Sequence, residues 1–234
     1  MAAGGPVAQG AASSIPDVIE RMEAIGAALP ASDGVACFNR VYLEVTGQVH
    51  DKVGQQFFAD PAFITALDIT FANLYFDAVY AADDATTVPL AWRPLIERRA
   101  VSGIEPIQFA LAGMNAHINH DLPMAVVSTC KDLGTSPTAG GHLDDYQKVD
   151  RLLNAEEQSI RESFESAPEL AIDRHLQAVD NLVASWSING ARDLAWTNAL
   201  LLWELRDVPI ARGLFTDGLA AAVALGSRTL LVAV

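Results

Sequence analysis

Prolines sit where helices begin along this chain, and that habit constrains its fold more than any other feature. Ser14 precedes Pro16 and Asp17, Asp60 precedes Pro61, and Glu105 precedes Pro106. A polar cap followed by proline in the first turn marks a helix start, because the N–H that proline lacks has no helical partner there anyway. Between these starts apolar residues recur every three or four positions, as in Phe63, Leu67, Phe71 and Leu74. The period-two alternation of a half-buried strand is scarce. An all-α fold is expected, with about nine helices over roughly 15–29, 33–50, 60–82, 91–100, 105–133, 142–165, 168–186, 188–206 and 208–232. Pro123 lies inside the fifth and should kink or split it. Gly134 to Gly141 is the clearest loop.

No repeat and no linker divides the chain, so residues 15–234 are expected to form a single compact multi-helix domain. The Ala/Gly-rich stretch 1–14 reads as a flexible leader. It has neither the basic start nor the apolar core of a signal peptide, which points to a cytoplasmic protein. No stretch approaches 18 uninterrupted apolar residues, so no membrane span is expected. With 15 Lys+Arg against 29 Asp+Glu, the net charge of −14 disfavours nucleic acid and anionic membranes as partners. Hydrophobic residues make up 51% of the chain and charged ones only 19%. A chain this apolar buries much, lines an apolar pocket, or pairs with a second copy. The apolar C-terminal segment, Gly218 to Val234, is the natural homodimer face. Cys37 and Cys130 are too few for a disulfide framework and are expected as buried thiols.

The strongest chemical feature is the segment from Gln108 to Pro123. At about 100° per residue on a helix, His117, His120 and Asp121 fall on one face. Ala110, Gly113 and Met114 lie on or beside it, and the small residues there should leave room beside the imidazoles. His followed by a carboxylate four residues on is a common way for one helix to supply two metal ligands. A second constellation follows the glycine loop. His142 and Asp145 are three apart and share a face, and they could complete a metal site with His117 and Asp121. Asp144 and its neighbours could equally cap the helix. On the third helix Asn73 and Asp77 share a face and Asp68 lies well off it. Arg93 is a candidate ion-pair partner for this group.

Familiar signatures are missing. There is no GxGxxG, GxxxxGK[ST], GxSxG or CxxC. The absence of DDxxD argues against the usual magnesium–pyrophosphate cyclases, and the absence of HExxH and ExxH against zincins and di-iron bundles.

The runs FNRVYLEVT (38–46), LDITFANLYF (67–76), AWRPLIERR (91–99) and FALAGMNAHINHDLP (109–123) resemble an uncharacterised, mainly actinobacterial domain-of-unknown-function family. The resemblance covers nearly the whole chain after residue 15. It implies no activity. The element His117-Ile-Asn-His-Asp121-Leu-Pro123 is also similar to helical HxxxD elements of zinc-dependent phospholipase C and P1 nuclease. Those enzymes are secreted and use an N-terminal Trp ligand and more histidines than the five present here. That resemblance implies one or two ions rather than three.

Three function classes follow. The first is a metal-dependent enzyme, most plausibly a hydrolase. His117, Asp121 and His142 would hold Zn, Mn or Fe, with His120 or Asp145 as a further ligand or general base. The second is a metal-free cyclase or isomerase of secondary metabolism, with a His–Asp acid/base pair facing an apolar pocket. The third is a non-catalytic binding or interaction protein. A small apolar or amphipathic molecule is the expected ligand.

Overall fold

The computed structural model describes residues 10–84, 86–164 and 187–233, with side chains left aside at 83 and 154–164. The helices are α1 (Ile15–Ala28), α2 (Gly34–Gly54), α3 (Pro61–Tyr80), α4 (Arg93–Arg98), α5 (Pro106–Ala116), α6 (Leu122–Asp132), α7 (His142–Phe164), α8 (Ile188–Glu204) and α9 (Pro209–Leu230). No strand occurs among the described residues. The expected helix over 168–186 lies outside them.

The expected starts are real caps. Asp33 accepts the Val35 N–H at 2.8 Å, and Asp60 accepts that of Phe63 at 3.0 Å. Gln108 reaches back to the Glu105 N–H at 2.8 Å. Pro16, Pro61 and Pro106 sit in first turns. The loop before α7 needs its glycines, since Gly134, Gly140 and Gly141 all adopt positive φ.

Residues 10–14 are not a loose leader. Ala12 is buried, and its N–H and C=O bond the Asn73 side chain at 2.7 and 3.0 Å. That pair ties the segment to α3, which is why it joins the fold. The two cysteines are buried free thiols.

The rod α5–α6 runs through the core and is covered by α2, α3, α8 and α9. α2 and α5 approach through a reciprocal exchange of glycine and phenylalanine. A Cβ on Gly34 would lie 2.6 Å from the Phe109 ring, and one on Gly113 would lie 2.4 Å from Phe38. Gly113 therefore makes room for Phe38, not for a ligand beside the imidazoles as its position on the helix face suggested. α9 is fastened to the rod by polar bonds. Asn115 donates to Val223 O and Ser227 Oγ, both at 3.0 Å, and Gln108 donates to Leu230 O at 2.8 Å and Val232 O at 3.0 Å. The opposite face of α9 leaves Ile210, Leu214 and Leu225 exposed.

α3 is long and apolar enough by composition to cross a membrane. Here it is a core helix: half of its apolar window is buried, and it carries Asp68, Asn73 and Asp77.

Candidate active site

Between α5 and α6 the chain makes one π-helical turn, His117–Asp121. The Leu122 N–H bonds His117 O, five residues back, instead of the carbonyl four back. Pro123 follows immediately and has no N–H to offer Asn119. Widening the helix here absorbs the proline, so the rod stays continuous where a split was the alternative. Turns of this kind recur at functional sites.

The wide turn lets both histidines reach one carboxylate. Asp121 is buried, and its Oδ2 lies 3.0 Å from His117 Nδ1 while its Oδ1 lies 2.7 Å from His120 Nδ1. Trp92 Nε1 donates a third bond to Oδ2 at 2.8 Å. Burial pushes the Asp121 carboxyl up, but the bonds from His117 and His120 outweigh it and hold it below the ordinary 3.8. An ionised carboxylate only accepts, so each Nδ1 that faces it carries the proton.

That assignment leaves His117 Nε2 as a bare lone pair. It is buried and has no hydrogen-bond partner among the described residues. Burial lowers the His117 pKa, and the bond to Asp121 only partly offsets this, so the ring is neutral near pH 7. The Phe71 ring lies flat on the imidazole, with centroids 3.4 Å apart and planes within 5°. Tyr42 packs edge-on at 4.5 Å. Phe38, Tyr75 and Trp92 complete an aromatic enclosure.

His117 lines a cavity of about 80 Å³, several times the space one water needs. Its walls are mostly apolar and include Val41, Val45, Ile64, Leu67, Met114 and Leu122. Three of its described lining residues carry titratable groups besides tyrosine: His117, Asp68 and Arg192. Arg192 is neutralised by Asp150, bonds Tyr146 O at 3.0 Å and lies 4.1 Å over the Tyr146 ring. Asp68 Oδ2 is buried without a partner among the described residues, and burial pushes the carboxyl up to about 7. Arg93 does not pair with Asp68: its Nη2 donates to Val88 O at 3.3 Å, and its Nε is unbonded among the described residues.

His142 and Asp145 go elsewhere. His142 stacks on Phe63 with centroids 3.9 Å apart, its Nδ1 2.9 Å from Ser136 O and its Nε2 3.3 Å from Asp60 Oδ2. Asp145 accepts the Ala59 and Asp60 N–H groups at 2.8 and 2.6 Å and pairs with Lys148 at 2.7 Å. Burial raises the Asp145 pKa, but these bonds turn the net shift downward. Both residues thus secure the start of α3. Phe63, which carries His142, and Phe71, which carries His117, are eight residues apart, about 12 Å along the helix axis. The set His117, Asp121 and His142 is therefore not brought together. Among the described residues no group of three or more His, Cys, Asp or Glu is placed to hold a metal ion.

Trp92, Phe71 and Asp68 are site residues that spacing alone did not single out. Two signals were present. A buried Trp needs an acceptor for its N–H. Asp68 is the lone acid on the apolar stripe Ile64, Leu67, Phe71.

A family model described as "Family of unknown function (DUF5995)" matches residues 15–233. The chain belongs to the DUF5995 family. No curated protein and no solved structure matches this DUF5995 chain. The residues of the candidate site described above, from Phe38 to Arg192, all fall within the span matched by DUF5995.

Proposed function

We propose that this DUF5995 protein is a metal-free enzyme that moves protons on a small apolar or amphipathic molecule, with His117 as general base. The observation that carries the reading is the state of His117. One nitrogen is held by a buried carboxylate, and the other is an unpartnered lone pair on a ring that lines an apolar cavity. A carboxylate behind an imidazole fixes its tautomer and stabilises the imidazolium formed when Nε2 takes a proton. The apolar walls of the cavity strengthen both effects. An isomerase or cyclase chemistry fits such a site better than hydrolysis, which needs a positioned water.

The test is base-promoted ring opening of 1,2-benzisoxazole, which needs only a base in an apolar pocket. The wild-type protein should exceed His117→Gln by about 10²-fold or more. Equal rates with unchanged helix content overturn the reading.

A carboxylate behind a histidine is also how metal-bound imidazoles are oriented, so His117 Nε2 as a ligand to Zn, Mn or Fe is the second reading. Metal analysis separates the two. The acid–base reading expects less than about 0.2 ion per chain and full activity after chelation, whereas a resident ion approaches one per chain.

A further inference from the structure

Asp68 has no place in the His117–Asp121–Trp92 network, yet it faces the same cavity. It sits three residues before Phe71 on α3, hence one turn away on the same helix face. Phe71 in turn lies flat against the His117 ring. Asp68 and His117 therefore line one cavity, with Phe71 one helical turn from the first and stacked on the second. Asp68 is half-buried, and its inner oxygen, Oδ2, is buried and unpartnered among the described residues, so that atom is left for a molecule in the cavity to meet. Every other charge lining the cavity is already answered, since Arg192 pairs with Asp150. Among the described residues a charged ligand would find no free counter-ion there, which favours an uncharged one.

Resting on the acid–base reading above, we propose that Asp68 is a second catalytic residue, a neutral carboxylic acid that donates a hydrogen bond to a carbonyl oxygen, and that the substrate is an uncharged ketone or enone with an apolar body and an acidic C–H. His117 Nε2 takes the proton from the carbon next to the carbonyl. The C–H pair becomes a C=C bond, and the carbonyl pair moves onto oxygen, where the Asp68 O–H meets the developing charge. The imidazolium swaps its proton with solvent and returns one to the same carbon or, where the substrate is a β,γ-enone, gives its proton to the γ carbon at the far end of the conjugated dienolate. The first outcome is exchange and the second is a double-bond shift. Neither needs an oxidant, a reductant or a co-reactant. A carboxyl raised to about 7 by burial remains largely protonated at slightly acid pH, and apolar surroundings are known to keep such acids as donors. Tyr42, pushed well above 10 chiefly by burial, stays a neutral neighbour.

The test uses cyclohexanone in D2O at pH 6.5, following loss of its α-protons by NMR, alongside benzisoxazole opening as the reading of the base alone. The wild-type protein should accelerate ketone exchange over His117→Gln. Asp68→Ala should lose about tenfold or more of that acceleration, a larger fold-loss than it shows in benzisoxazole opening. Asp68→Asn keeps a neutral donor and should retain most of the exchange. Ketone exchange unchanged in Asp68→Ala, or absent in a wild-type protein that opens benzisoxazole, overturns the role of Asp68 and leaves His117 standing. Equal fold-losses of both reactions in Asp68→Ala, with helix content and melting temperature preserved, also overturn it, because the side chain would then serve the base itself. Benzisoxazole opening that ignores His117 overturns the underlying reading instead.

Discussion

A half-buried carboxyl whose inner oxygen has no partner among the described residues burdens the fold in a way that pH tunes. Asp68 has a folded pKa of about 7 against an ordinary 3.8. Between those values the folded protein keeps a proton that the unfolded chain has released, so stability falls as pH rises through that window. Asp68→Asn removes the effect. Thermal melts should show no gain for the variant below pH 4 and a growing gain up to about pH 7, at most about 1.4 kcal/mol per pH unit crossed. His117 acts in the opposite sense. Its pKa is lowered by burial, so the unfolded chain takes up a proton first, and stability is lost as pH falls below the ordinary 6.5. Trp92→Phe takes one donor from a buried anion. It should cost about 1–3 kcal/mol in urea unfolding, with the loss concentrated at pH values where Asp121 is ionised. At this scale the sequence was partly legible. His117, His120 and Asp121 do converge, as their spacing implied. His142 shared their chemistry but not their location, because its position depends on which end of α3 the glycine loop returns to, and no local pattern encodes that.

Helix starts were legible because caps and first-turn prolines act within four residues. The π turn was not, since it settles a conflict between Pro123 and the core packing on both sides of it. Helix–helix approach was misread for a similar reason. Gly113 looked like space for a ligand, but a glycine reserves space without saying for whom, and the occupant is Phe38 from a helix some seventy residues earlier. Gly113→Ala should therefore destabilise by about 1–3 kcal/mol through overpacking. The same change in a Phe38→Leu background should cost less, and a double-mutant cycle by chemical denaturation measures the difference.

Across the whole molecule, a net charge of −14 means that the surface repels itself, and folding concentrates that repulsion. Salt screens it. Raising NaCl from 10 to 300 mM should raise the melting temperature by roughly 2–4 °C, the equivalent of about 1 kcal/mol for a chain of this size. A tightly paired acidic surface would show no rise. The latch on the central rod has a further consequence, which concerns time. Gln108, which closes the start of α5, takes its partners from Leu230 and Val232, 122 and 124 residues later. At ribosomal speeds of about 5–20 residues per second, roughly 6–24 s pass between their syntheses. For that interval the helix that carries His117 and Asp121 exists without its last contacts. The helix that leads into the pocket is thus completed only once residues 230 and 232 have emerged.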